Sequence, residues 1–140
     1  MNLYLAMWVR GPDRNNVTKQ QMEKNKKKAI EVAERLNKTI GHYYNLIVPH
    51  TDSILSDIDR KWLKTKDSSC VQEAMDRCFE LLSSCDGILL FTYGFLSEGM
   101  KEEKKYAEQK GLFIYEADEL TDKILEDLCL ALLDFECVKT

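Results

Sequence analysis

The sequence has no excess of positive charge. Its 20 Lys and Arg residues are outnumbered by 24 Asp and Glu residues, for a net charge of −4. We therefore do not expect a nucleic-acid binder, because such a protein neutralises phosphates with a basic face. No apolar run approaches the length of a membrane span, so no membrane protein is expected. Met1 leads into a short apolar run without the basic segment of a signal peptide.

Recognisable metal-binding or disulfide patterns are also missing. The five cysteines are odd in number and form no C-x-x-C, and the two histidines lack zinc-ligand spacing. We expect no metal and no cofactor. We interpret most of the cysteines as small buried apolar residues in a reducing compartment, which predicts a cytoplasmic protein.

The composition is that of an ordinary soluble domain. Hydrophobic residues make up 44% of the chain and charged residues 31%, which is typical of a folded globule rather than a disordered chain. A length of 140 residues fits one domain with one core, spanning residues 1–140.

Strand-like and helix-like segments alternate along the chain. Short apolar runs predict strands at Asn2–Val9, Tyr44–His50, Gly87–Thr92 and Gly111–Glu116. Apolar stripes at helical spacing predict helices at Thr18–Asn37, Ser69–Ser84, Ser97–Lys110 and Glu119–Phe135. Residues 51–68 fit a short helix or an ordered loop equally well.

This alternation predicts crossover connections and therefore a parallel sheet. We expect a three-layer α/β domain, flavodoxin-like or Rossmann-like, with about four to five strands. Ligands of such sheets bind beyond the carboxyl ends of the strands. The loops after Val9, His50 and Thr92 are therefore the expected site.

The third of these loops leads into a helix with one unusual carboxylate. Ser97 is placed to cap the helix, and Glu103 lies between Met100 and Ala107 on the predicted inner stripe. A helical side chain leans back over the preceding turn, so the Glu103 carboxylate should lie over Gly99, which leaves an open space. The alternative is a solvated helix residue, and spacing alone favours it.

The first loop adds an arginine and a glycine. Arg10 and Gly11 follow the first strand, where an arginine could hold an anionic group and a glycine would allow close backbone approach. A surface arginine beside a turn glycine is an equally good interpretation.

Together these residues resemble a known family. Tyr4 through Arg10-Gly11, then Leu82 and Cys85-Asp86 before an apolar strand, and finally the pattern Ser-x-Gly-x-x-x-Glu-x-x-x-Ala at residues 97–107 are similar to the nucleoside 2-deoxyribosyltransferase-like superfamily. This superfamily includes the 2′-deoxynucleoside 5′-phosphate N-hydrolases, and the chain looks closest to its DUF4406 group. The resemblance extends from Leu3 to about Glu116.

The resemblance implies a catalytic role for two residues. Glu103 would be the nucleophile that attacks the anomeric carbon and displaces the base, as in retaining glycosidases, and Tyr4 would orient it. An ionised carboxylate suits this task, and a helix N-terminus favours ionisation.

The resemblance also implies a set of binding residues and an assembly. Family members usually form dimers or larger homo-oligomers, for which the apolar Phe95-Leu96 is a candidate contact. Ser97 and Arg10 would hold a 5′-phosphate. The residues expected to bind substrate or phosphate are Arg10, Gly11, Ser97, Gly99 and Asp86.

Three positions depart from the family pattern. Met7 and Trp8 replace a glycine and a serine where a nucleotide should lie, and Cys78 replaces an aspartate that assists protonation of the departing base. Asp76 lies about 200° around the helix from Cys78 and cannot replace it. Two functions therefore stay open: an enzyme acting on a nucleoside or nucleoside 5′-monophosphate, and a non-catalytic nucleotide-binding or protein-interaction module.

Overall fold

The computed structural model of the protein describes residues 1–12 and 15–139. Four strands and five α-helices alternate within these residues. The strands are β1 (Asn2–Ala6), β2 (Asn45–Ile47), β3 (Gly87–Phe91) and β4 (Phe113–Ala117). The helices are α1 (Lys19–Ile40), α2 (Ser53–Thr65), α3 (Ser69–Leu82), α4 (Glu98–Gln109) and α5 (Asp122–Lys139).

The strands form one parallel sheet in the order β2-β1-β3-β4. The two central strands pair directly, with Tyr4 opposite Ile88. The predicted parallel α/β fold is therefore confirmed, and the order matches the first four strands of a flavodoxin-like sheet. The strand order reverses between β1 and β3, and a crevice for ligands opens at such a reversal.

Helices cover both faces of the sheet. Alternate residues of β1 separate the layers: Leu3 and Leu5 belong to a core with α1 and α5, whereas Tyr4 and Ala6 belong to a core with α3 and α4. All five residues of β3 are buried, which explains why this strand is continuously apolar.

Helix α2 resolves the ambiguity of residues 51–68, because it forms a regular helix after a short 3₁₀ turn at Pro49–Thr51. Asp52 caps it by accepting a hydrogen bond from Leu55 N at 3.1 Å. Arg77 of α3 donates two hydrogen bonds to the same carboxylate, at 3.0 and 2.9 Å. A small core that includes Trp62 and Cys70 joins α2 to α3 and to the start of α1.

Several predicted boundaries are wrong by a few residues. β1 ends at Ala6 rather than Val9 because its pairing with β3 stops there. Helix α1 runs on to Ile40, and α5 begins at Asp122 and continues past Phe135. No helix within the described residues is long and apolar enough to cross a bilayer.

The cysteines are less uniformly buried than predicted. All five are free thiols. Cys70 and Cys85 are buried, Cys78 and Cys129 are half-buried, and Cys137 is exposed on α5. The buried interpretation, which was made for most of the cysteines and not for all, fits Cys70 and Cys85 fully and does not fit Cys137.

Candidate functional site

A cavity of about 590 Å³ lies at the carboxyl ends of β1 and β3. The segments that follow β1, β2 and β3 line it, through residues 7–12, residues 49–50, residue 95 and residues 97–99. Residues of α2 and α3 form further parts of the wall. Its volume is within the range of sites that bind small molecules.

Glu103 lines this cavity although it is buried, with 7% of its surface exposed. It shares the inner stripe of α4 with Met100 and Ala107, which are also buried. A carboxylate at such a position is uncommon, because removing its charge from water is costly unless the group is paired or becomes neutral. The solvated interpretation of Glu103 is therefore wrong.

Tyr4 is fully buried in the core beside the cavity, where it interacts with Glu103. Its hydroxyl is fully buried and has no hydrogen-bond partner of normal length within the described residues. It interacts with the Glu103 carboxylate and the Cys78 thiol at longer range. Burial, followed by the Glu103 charge, raises the pKa of Tyr4 well above 10, so this group remains a neutral hydrogen-bond donor.

Burial also changes the protonation of Glu103 itself. Desolvation raises its pKa from 4.5 to about 7, although interaction with Tyr4 opposes the change. A helix N-terminus was expected to favour ionisation of this group, whereas burial, the main cause of its shifted pKa, favours the neutral acid. Near neutral pH both the acid and the carboxylate are present.

Gly99 and Ser97 are positioned by the start of α4, and both line the cavity. Ser97 caps the helix by accepting a hydrogen bond from Met100 N at 3.2 Å, as predicted. A side chain at Gly99 would meet no atom closer than the Met75 sulfur at 3.8 Å. Protein packing therefore does not require glycine at this position, and the open space predicted beside Glu103 is part of the cavity.

The loop before α4 is shaped by Asp118. Its backbone oxygen accepts a hydrogen bond from Tyr93 N at 2.6 Å, and its carboxylate accepts one from Thr92 at 3.1 Å. The backbone N–H of Gly94 also donates a hydrogen bond to this carboxylate. Tyr93 and Gly94 both adopt positive φ, 45° and 85°, so the chain turns sharply here before the cap of α4.

Arg10 and Gly11 also line the cavity. The Arg10 guanidinium lies 4.5 Å from the ring of Trp62 on α2, so the first loop is held against that helix. Gly11 has φ of 77°, and a Cβ there would lie 2.9 Å from the Trp8 ring. Turn geometry and the Trp8 ring therefore account for this glycine without any ligand.

The bulky residues of the first loop do not fill the site. The indole Nε1–H of Trp8 donates a hydrogen bond to the backbone oxygen of Thr92 at 2.5 Å. Met7 packs into the core shared with α1 and α5. Both residues line the cavity, but its volume remains large enough for a nucleoside-sized ligand. The size of Met7 and Trp8 is therefore a weaker argument against a bound nucleotide than the sequence suggested.

Asp86 does not belong to this site, which corrects its predicted role in binding substrate. It directly precedes β3 and accepts a hydrogen bond from the backbone N–H of Asn2 at 2.8 Å. Residues before parallel strands lie at the amino edge of the sheet, opposite the cavity. Asp86 ties the starts of β1 and β3 together.

Two residues of the cavity whose pKa values are shifted by burial were missed in the sequence. His50 is buried, and its Nε2 lies 3.3 Å from the Trp8 oxygen, while Nδ1 has no partner within the described residues. Burial lowers the pKa of His50 to about 4, so it is neutral at physiological pH. Its position after a strand is the one signal that could have identified it.

Asp59 of α2 is the second missed residue. Burial raises its pKa to about 6, against the opposing charges of Arg10 and Lys26. It recurs with Leu55 and Trp62 at helical spacing, but that pattern is informative only once residues 53–65 are known to be a helix.

Within residues 1–12 and 15–139, no three His, Cys, Asp or Glu side chains are grouped so that they could hold a metal ion. Comparison with protein-family models, curated proteins and solved structures found no match to this chain.

Proposed function

We propose that the protein cleaves the N-glycosidic bond of a nucleoside or nucleoside 5′-monophosphate, with Glu103 as the nucleophile. The observation that carries this proposal is a buried carboxylate facing Tyr4 in a cavity at the carboxyl edge of the sheet. The family resemblance of residues 97–107 points to the same chemistry.

The reaction has two steps. The ionised Glu103 carboxylate attacks the anomeric carbon while the bond to the base breaks, and the base leaves with the bonding electrons and gains a proton. Water, or a second base, then attacks the same carbon and releases Glu103. Tyr4 is a neutral hydrogen-bond donor beside Glu103, and it orients the carboxylate before the carboxylate attacks.

An anionic substrate would meet cations in the cavity, although the carboxyl groups of Glu23, Asp59, Glu98 and Glu103 line it as well. Arg10, Lys19 and Lys26 line it, and the capped N-terminus of α4 supplies backbone N–H groups that favour negative charge. Arg10 and Ser97 are the proposed contacts of a 5′-phosphate. Phe95, which lines the cavity and is 36% exposed, is the proposed contact of a second copy of the chain.

The test is base release from a panel of deoxynucleosides, ribonucleosides and their 5′-monophosphates, followed by chromatography. Glu103→Ala should abolish release, whereas Glu102→Ala, on the exposed face of the same helix, should not affect it. Arg10→Ala should raise KM for monophosphates more than for nucleosides.

A second function is an inactive nucleotide-binding or protein-interaction module on the same scaffold. It is favoured by Cys78, whose thiol has a pKa raised to about 12 by burial and is too weak an acid to assist a leaving base. Nucleotide binding without base release from any substrate would support this alternative. Base release that persists in Glu103→Ala would refute the mechanism.

A further inference from the structure

Asp59 occupies the same kind of position on α2 that Glu103 occupies on α4. It follows Leu55 by one helical turn and precedes Trp62 by almost one turn, and both of these residues are buried. Its carboxyl group is half-buried and lines the cavity. Its neighbour Asp57, by contrast, is exposed and pairs with Arg60.

Asp59 and Glu103 line the same cavity from different helices. Cys78 of α3 lines it as well, and α3 packs against both α2 and α4. Burial is the main cause of the raised pKa of the Cys78 thiol, and the charges of Glu103, Asp59 and Asp52 raise it further. The cavity therefore contains two carboxyl groups and a neutral thiol that is influenced by both.

The surroundings of the two carboxyl groups differ. Arg10, from the first loop, and Lys26, from α1, are the cations that face Asp59, and Cys78 faces it from α3. Tyr4 is the group that interacts with Glu103. Two carboxyl groups in different environments are a common basis for separate acid and nucleophile roles.

We infer that Asp59 is the acid that protonates the departing base in the reaction proposed for Glu103. This inference rests on the proposed function. As the bond between the anomeric carbon and the base breaks, its electron pair goes to the base, and the Asp59 O–H proton is transferred to a ring nitrogen or exocyclic oxygen of that base. The Asp59 carboxylate is then stabilised by Arg10 and Lys26. It regains a proton from the water that releases Glu103.

In the family that the chain resembles, an aspartate occupies the position of Cys78. An acid role for Asp59 explains how the site could work without that aspartate, with Glu103 as its nucleophile. A carboxyl group supplied by α2 would reach the same base from another wall of the cavity. Burial raises the pKa of Asp59 to about 6, so a useful fraction is protonated slightly below neutral pH, as an efficient general acid requires.

The experiment compares paired substrates whose bases differ in their need for a proton. The pairs are a guanine nucleotide with its 7-methylguanine analogue, and a uracil nucleotide with its 5-fluorouracil analogue, using whichever pair the wild type cleaves. Asp59→Asn should lower kcat by about 10²- to 10⁴-fold on the ordinary substrate and by much less on the activated one. Retained activity on the activated substrate also shows that the variant is folded.

Two control variants separate this role from the others. Asp57→Asn, on the exposed face of the same helix, should leave both rates unchanged, and Glu103→Gln should abolish both. With the ordinary substrate the rate should fall above about pH 7, because Glu103 is then already ionised while Asp59 continues to lose its proton. With the activated substrate the rate should level off there instead.

Each remaining outcome overturns one claim. Equal losses on both substrates would mean that Asp59 binds substrate and is not the acid, and no loss on either would exclude it from the reaction. Both outcomes leave the Glu103 mechanism intact. A wild-type protein that releases base from no substrate refutes the proposed function, and the role of Asp59 with it.

Discussion

Glu103→Gln should stabilise the protein at alkaline pH while abolishing the proposed activity. The folded protein holds a proton on Glu103 more tightly than the unfolded chain does, because burial raises its pKa from 4.5 to about 7. The contribution of this group to stability is therefore fully present below pH 4.5 and is lost as the pH rises through 7. Glutamine has no charge to bury, so the variant avoids this loss.

The expected effect is large. Each tenfold change in proton affinity is worth about 1.4 kcal/mol, so the change in pKa corresponds to about 3 kcal/mol at pH 8 and less than about 1 kcal/mol at pH 4.5. Because Glu103 is only 7% exposed, solvent screening reduces this value little. For 140 residues, an unfolding entropy of roughly 0.3 kcal/mol/K converts 3 kcal/mol into an increase in Tm of about 10 °C.

The measurement is thermal unfolding of the wild type, Glu103→Gln and Glu102→Gln at several pH values between 4.5 and 8. The Tm difference between Glu103→Gln and the wild type should grow with pH. Glu102→Gln, an exposed neighbour on the same helix, should follow the wild type throughout. A pH-independent difference between Glu103→Gln and the wild type would show that Glu103 is not held as an acid.

Three other substitutions test separate features. His50→Gln should reduce the acid sensitivity of the protein, because burial lowers the pKa of His50 to about 4. Between pH 7 and 5, the free energy of unfolding measured in urea should fall by about 2 kcal/mol more in the wild type than in the variant. Asp52→Ala removes the cap of α2 and the partner of Arg77, and should lower the free energy of unfolding by about 2 kcal/mol; an equal loss in Asp52→Asn, which retains a capping oxygen, would contradict this account. Gly99→Ala should preserve or slightly raise Tm, since an added methyl group meets no atom closer than 3.8 Å and alanine favours helix by up to about 1 kcal/mol. If the protein binds a nucleotide as proposed, the affinity of this variant for it, measured by calorimetry, should nevertheless fall, and an unchanged affinity would place the ligand elsewhere.

Much of the fold could be predicted because burial leaves a periodic pattern within each element. The continuous apolar run of β3 and the inner stripe of α4 are examples, and both are confirmed. The strand order follows less directly, since it depends on which strands pair across the chain. Residues 51–68 stayed ambiguous because the buried face of α2 is short and its partners lie on other elements.

The wrong predictions at the site also arose because they were made without knowledge of which elements surround each residue. Asp86 was included through its place in a family pattern, although a residue before a parallel strand lies at the edge opposite the cavity. The ionisation of Glu103 was judged from its own helix, whereas desolvation by the surrounding elements decides it. Asp59 was missed because the sequence left a helix and an ordered loop equally possible for residues 51–68.

The sequence by itself determined the alternating parallel fold and the cap at Ser97, because these depend on residue types a few positions apart. For Glu103 the spacing alone favoured a solvated position, and the structure buries it. Only the tertiary structure decided that three loops and α2 enclose one cavity, that Asp59 shares it with Glu103, and that both carboxyl groups have raised pKa values. These properties depend on desolvation and on charges contributed by other elements, which no local pattern records.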